Sequence, residues 1–414
     1  MSLWLALMTF VPNQRRLLVT LGMLQWTFLL PLERTQFSAM MYSPLILRAW
    51  ACVVGGVLFW SAVRFRQTFF GRHPIFCLLT WYAIFDYGVT LSVGRYVYAS
   101  VAWRFATVFG FYLWFISYAL LDRDAKDRDS FGLQLGTFRP FWGSTDTPFP
   151  KGSSYLRRIE ARTPEHLAIT QLKALKLLVW ALILNSVLLA FQAVVHHRLM
   201  IPTFEMAFAS SVQRNPYPWF QCWAALIAKF LEALLTISVL GHTIIACCRM
   251  AGFAALRNTY RPLESRTIAE FWNRYYFYFK ELLVDVFFYP TFMRFFKGRS
   301  KLRLFFATLA AAGFGNAYYH FFTEPEPIAR LGFWHALVAF RPYIFYCFVL
   351  ASAIGISQMR KRRPVQNSWL RARLIPSLCV ALFFCLLRVF DDTSRAYPIQ
   401  EHFRFLAHLF NLVS

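Results

Sequence analysis

Ile268–Pro290, IAEFWNRYYFYFKELLVDVFFYP, and Leu302–Phe322, LRLFFATLAAAGFGNAYYHFF, are the stretches on which a reading of this chain turns. The first is too aromatic for a surface helix and too charged for a membrane span. Arg274, Tyr278, Glu281 and Asp285 recur at i, i+4, i+7 and i+11, a spacing that predicts one polar helical face. Phe271, Trp272, Tyr275, Phe279, Leu283 and Val286 cover the rest. Such a helix belongs at the bilayer boundary or against a polar cavity. The second stretch is a small-residue span with Asn316 and His320 one turn apart, and the two stretches are expected to form two walls of one site.

Working outward, the whole chain is apolar. Of its 414 residues 58% are hydrophobic and 19% aromatic, and the mean hydropathy is +0.43. Soluble domains do not have this composition; the expected class is an all-α polytopic membrane protein, with residues 1–414 forming one integral membrane domain. Apolar segments of near-spanning length lie at about Leu17–Leu32, Leu45–Val63, Ile75–Leu91, Tyr96–Leu121, Leu175–Val195, Phe220–Met250, Leu302–Phe322, Gly332–Ile356 and Leu374–Phe390. They predict roughly 8–11 membrane helices. Phe220–Met250 exceeds one crossing and carries Lys229 and Glu232, so a bent or re-entrant segment or two short helices are expected there, with those two residues able to pair at i, i+3. Asp122 to about Lys173 (122–173) reads as a solvated polar loop with one or two short helices, Glu165 and His166 facing water.

The formal net charge is +24, yet the cations fall in short loops such as Lys297–Arg303 and Arg360–Arg363. Retention on the cytoplasmic side and contact with anionic lipid account for them, so nucleic acid is not an expected partner. All eight cysteines lie in or beside apolar runs without a CxxC pair, which points to buried thiols and no metal site. The N-terminus lacks a basic region and a small-residue cleavage site, so no cleaved signal peptide is expected. Arg48, Asp86, Arg104 and His242 also sit inside apolar runs. Arg48 and Arg104 are expected to snorkel, and Asp86 serves either function or structure. His196 and His197 close a segment as interfacial anchors.

From Gly252 the pattern becomes specific. Phe271, Trp272, Arg274, Leu283, Asp285 and Pro290 occur in order without a gap, with Glu270 before the Phe-Trp pair and Asn258 and Pro262 upstream. An apolar helix carrying a His follows. This set resembles the signature of the membrane-bound O-acyltransferase (MBOAT) family, over residues 252–322 and more loosely over the many-helix layout and the aromatic end EHFRFLAHLFNL. Two positions depart from the usual pattern. Tyr276 stands where many members have His or Asn. Counting from Pro290 places Asn316 at the second His position, with His320 one turn later, so either the register slips by a turn or the residue is replaced.

The resemblance implies a multi-helix fold with a central funnel or tunnel. It also implies acyl transfer from a cytoplasmic thioester donor, acetyl-CoA, another acyl-CoA or an acyl-carrier thioester, to a hydroxyl of an envelope polysaccharide or lipid-linked acceptor. The donor is a co-substrate; no bound cofactor is expected. The setting is the lipid bilayer of a bacterial inner membrane, with a periplasmic transferase or synthase as the kind of protein partner. His320 is then the general base, with Asn316 or the Tyr276 hydroxyl as oxyanion donor or orienting group. Trp272, Asn273, Arg274 and Asp285 are the expected substrate-binding residues on the signature helix. Arg257 and Arg261, with the 297–303 cations, are expected to attract an anionic donor. Gly313, Gly315 and Ala310–Ala312 permit close helix approach. Two other readings stay open: a non-catalytic MBOAT-like conduit or assembly partner, which Tyr276 favours, and a transporter, which requires charges paired in broken helices.

Overall fold

In a computed structural model, the structure describes residues 2–29, 131–137, 140–143, 147–323, 326–360 and 370–413, with isolated positions between 53 and 121. Among these the chain is helical and contains no strand, only an isolated bridge between Glu160 and Phe253. Arg48, Asp86, Arg104, Cys52 and Cys77 lie outside the described residues, as do most of the segments expected between 45 and 121.

Four described helices are long and apolar enough to cross a bilayer: Pro164–Arg198, Trp219–Met250, Arg341–Met359 and Ala372–Phe390. These are the helices of a membrane protein. Only 11% of the apolar window of the first is buried inside the protein, as a lipid-facing surface requires. Two compact units make up the chain: Met1–Leu177 with Ile244–Leu256 and Phe322–Phe333, and Leu178–Thr243 with Arg257–Phe321 and Trp334–Ser414.

The first unit holds α1 (Ser2–Phe10), α2 (Arg15–Leu29), α3 (Phe131–Gly136) and α4 (Ser153–Ile159). Arg15 is its clamp. The guanidinium is buried, donates to Glu160 (3.3 Å) and to the Ala161 carbonyl (3.1 Å), and lies over the Phe253 ring. Gly252 makes room for it: at φ +91°, an added Cβ there would meet Arg15 Cζ at 2.7 Å. The expected solvated loop is corrected here. Phe141, Trp142, Phe149 and Leu156 are almost wholly buried, and the Trp142 indole donates to the Phe149 carbonyl (2.9 Å). Aromatic rings do the packing that the segment's few aliphatics cannot. The loop also ends early. Thr163 caps α5 (Pro164–Gln192), accepting from His166 N–H (3.2 Å), while Glu165 and His166 do face water.

The second unit carries the stretches read first. The α5 helix continues into a π-helical turn (Ala193–Arg198), and α6 (Phe204–Val212) leads to α7 (Trp219–Met250), a single unbroken helix rather than a re-entrant segment or two short helices. Lys229 and Glu232 do not pair with each other. Lys229 reaches Glu205, and Glu232 accepts from His196 (3.1 Å), which gives the part-buried His196 a carboxylate partner. Thr267 caps α8 (Ile268–Tyr275), and α9 (Phe277–Leu283) follows after a break at Tyr276. A π-helical turn (Val284–Phe288) leads to α10 (Tyr289–Arg294). α11 (Ser300–Thr308), a π-helical turn (Leu309–Gly315) and α12 (Asn316–Thr323) form one continuous rod. After α13 (Glu326–Leu331), the expected Gly332–Ile356 span divides into α14 (Phe333–Ala339) and α15 (Arg341–Met359), because Pro342 starts a new helix. Last come α16 (Ile375–Leu387) and α17 (Ile399–Leu409).

Phe208, Phe230, Phe271, Leu350, Phe384 and Phe405 form the core of this unit, with Phe271 stacked on Phe384 at 3.9 Å. The small residues act as the sequence suggests. An added Cβ on Gly315 would fall 2.5 Å from Phe287, and one on Gly355 2.5 Å from Phe305. The rod thus meets the signature helix and α15 at near-backbone distance. Gly315→Ala is expected to lower stability by about 1–3 kcal/mol through overpacking. Gly298→Ala, where nothing lies within 4 Å, should change little. Thermal unfolding of the two purified variants in detergent measures the difference.

Candidate functional site

The predicted single polar face of the signature helix does not exist, because the helix stops at Tyr276 (φ −140°, ψ 77°). The cause lies upstream. Asn258 carbonyl accepts from Phe277 N–H (2.9 Å), and its side-chain Oδ1 accepts from Tyr278 N–H (3.2 Å). The Thr259 hydroxyl donates to the Tyr275 carbonyl (2.9 Å), and Tyr260 N–H to the Arg274 carbonyl (2.9 Å). A three-residue segment therefore takes over the groups that the next turn of helix would have used, satisfying a break in apolar surroundings. Asn258 reaches this place because Gly241 on α7 has no side chain: a Cβ there would lie 2.9 Å from Asn258.

The break turns α9 so that Phe279 becomes a hub. Its ring meets Trp272 (6.1 Å), Tyr276 (5.5 Å), Tyr319 (4.8 Å) and His320 (5.6 Å). His320 also lies 4.8 Å from Tyr343 of α15, whose hydroxyl donates to Asn316 Oδ1 (3.5 Å). Asn316 and His320 thus share one helical face, directed at Tyr343. Asn316 is buried and His320 half-buried. Neither ring nitrogen of His320 makes a hydrogen bond to another described residue.

The charge of the site comes from the end of α16 and the loop after it. Arg388 pairs with Asp391 and donates to the Tyr275 hydroxyl (2.7 Å). The Arg388–Asp391 pair acts electrostatically on Tyr343 and Tyr346, and its carboxylate also on His320 and Cys347. Asp392 faces the other way, toward His402 (3.6 Å) and the Ser394 backbone N–H (2.9 Å). Burial pushes its carboxyl pKa up, but the imidazole and the Ser394 donors outweigh burial and hold it below its ordinary value. His402 is itself fixed by an Nδ1–H bond to the Val389 carbonyl (2.7 Å).

Trp272, Tyr276, Asn316 and His320 are therefore brought together around Phe279 and Tyr343. The remaining expected residues are not part of that group. Asn273 is exposed, and Asp285 lies in the π-helical turn beyond α9. Arg274 pairs with Glu270 (2.6 Å) and donates to the Arg261 carbonyl (3.4 Å). Arg257 and Arg261 flank the exposed Tyr260 ring at 5.8 and 5.7 Å. These three arginines form a separate basic collar, tied to the cluster through the Tyr260–Arg274 backbone bond. Sequence reasoning missed Tyr275, Tyr343, Arg388 and Asp391. The signal was present in RVFDD (388–392), an Arg and two carboxylates closing an apolar span, but charges at span ends are ordinarily interfacial.

Compared with protein families and with curated proteins, the chain finds no match in either.

Asn258→Ala removes the acceptor for Tyr278 N–H and is expected to cost about 1–2 kcal/mol, whereas Asn258→Asp retains an acceptor oxygen and should cost less. Chemical denaturation in detergent measures both. Because the native Asp392 pKa is depressed, its stabilisation is complete above the ordinary carboxylate value of 3.8 and is lost as pH falls through the lower native value. The thermal stability gap between the wild type and Asp392→Asn is therefore expected at neutral pH and should narrow as the solution is acidified below pH 3.8.

Proposed function

We propose that this chain is a membrane-bound O-acyltransferase of the MBOAT kind with His320 as its general base. The observation that carries the reading is the position of His320. Its ring nitrogens, which no described residue hydrogen-bonds, sit in an aromatic enclosure against the broken signature helix, in the field of a carboxylate that Arg388 holds. The neutral imidazole is the form that accepts a proton, and the nearby carboxylate stabilises the imidazolium that forms.

The steps balance as follows. His320 takes the proton of an acceptor hydroxyl while the oxygen attacks the thioester carbonyl. The tetrahedral intermediate collapses with cleavage of the C–S bond, and the thiolate leaves with the proton from the imidazolium. The developing oxyanion needs N–H or O–H donors. Asn316 supports that role through its amide group, because Oδ1 is already engaged by Tyr343 and the NH2 end is left to donate. Arg257, with Arg261 and Arg274 partly offset by Glu264 and Glu270, leaves a net positive charge for an anionic donor such as acetyl-CoA. The acceptor class is an envelope polysaccharide or lipid-linked glycan at a bacterial inner membrane, with a periplasmic transferase or synthase as companion.

One observation favours a second reading. A discontinuous helix beside a partly buried Arg388–Asp391 pair is also the equipment of a transporter. The two separate in one assay. Membranes containing the protein, given labelled acetyl-CoA, are expected to label a glycan or lipid-linked fraction, and His320→Ala should reduce that transfer by about 10²–10⁴-fold. Equal labelling by wild type and variant removes His320 as the base; absence of transfer by the wild type favours the transporter or a non-catalytic conduit.

A further inference from the structure

The second unit contains a hollow, remote in sequence from the proposed catalytic cluster, lined by Ser211, Arg214, Pro216, Arg404, His408 and Val413. Three of these six side chains carry or accept positive charge. Both ring nitrogens of His408 lie at hydrogen-bond distance from backbone carbonyls, Nε2 from Tyr217 (2.8 Å) and Nδ1 from Val413 (3.1 Å). Carbonyls only accept, so the form that satisfies both contacts is the imidazolium, with an N–H on each nitrogen. His408 and Ser211 are both more than nine-tenths buried.

Arg214 occupies its place against a conformational preference. It follows the C-terminus of α6 with φ +65°, a left-handed position where glycine is usual. A side chain there strains the backbone. What the chain gains is a guanidinium bound bidentately by Glu401, at 2.9 and 3.0 Å. Both Glu401 oxygens are thereby used on Arg214, the one carboxylate contact to name at this site. Arg404 is different: it makes no hydrogen bond or ion pair with another described residue, and neither does the Ser211 hydroxyl. Two helix C-termini, of α6 and α17, also converge here, each with about half a negative charge. They and Glu401 do not cancel three cations; about one positive charge remains, with two unused donors beside it.

The surroundings identify the level in the bilayer. The hollow stands where α7 begins, and the first turns of that span carry the exposed rings of Trp219 and Phe220. Trp223 donates to the Leu409 carbonyl (2.7 Å) and packs edge-on against Phe410 (5.5 Å), itself exposed. Such a belt marks a membrane–water interface. We infer that the hollow is a binding site for the phosphate of an anionic phospholipid headgroup, with Arg404 and Ser211 as its direct donors and Arg214 and His408 as fixed positive charges. The inference does not depend on the proposed acyl transfer.

The test uses the full chain in neutral detergent, titrated with phosphatidylglycerol, phosphatidylcholine or inorganic phosphate while tryptophan fluorescence is followed. Saturable binding of phosphatidylglycerol is expected, weakened about tenfold or more by Arg404→Gln and by a smaller factor by Ser211→Ala, as loss of a charge-assisted hydrogen bond predicts. Undiminished binding by Arg404→Gln, or equal binding of phosphatidylcholine, overturns the site. Inorganic phosphate binding as tightly as the lipid overturns the assignment to a headgroup.

Discussion

The second unit depends on four hydrogen bonds made by Asn258, Thr259 and Tyr260 to the interrupted signature helix. A helix cannot stop inside apolar surroundings unless its exposed N–H and C=O groups find other partners, since each left alone costs about 1–3 kcal/mol. The inserted segment is that partner, and the missing side chain of Gly241 is the space it needs. Once the break is satisfied, the rest follows from geometry. α9 leaves in a new direction, Phe279 faces α12, and Tyr275 points its hydroxyl at Arg388.

The same construction recurs where a histidine enters an apolar region. His196 and His402 each direct Nδ1 at a backbone carbonyl, Ile201 or Val389, while Nε2 faces Glu232 or Asp392. The carbonyl fixes the orientation of the ring and the carboxylate supplies its charge balance. His320 departs from this pattern. It has the field of Asp391 but no hydrogen bond from either nitrogen to a described residue. An imidazole held by ring contacts alone keeps both nitrogens for another molecule, which is why the proposed chemistry is placed there.

Much of this was legible in the sequence, for reasons that differ by residue. The helical class and four of the expected spans follow from composition and run length, which local chemistry dictates. Gly315 and the shared face of Asn316 and His320 follow from small size and helical period. The break at Tyr276 was not legible. YYFYF contains no Pro or Gly, and the groups that interrupt it lie 15 or more positions upstream, so helical periodicity ran straight through it. Arg388 and Asp391 were hidden by their position at the end of a span, and the buried rings of Phe141, Trp142 and Phe149 by the polar residues around them. Lys229 and Glu232 show the limit of i, i+3 reasoning: each found a better partner on another helix.

The account stands or falls on whether the Arg388–Asp391 pair serves chemistry at His320. The most direct measurement is single-turnover acyl transfer from labelled acetyl-CoA by Asp391→Asn, with donor affinity measured on the same preparation. The account predicts a slower chemical step at nearly unchanged donor affinity, because the carboxylate acts on the charge of His320 and touches no donor group. Transfer as fast as in the wild type would contradict it.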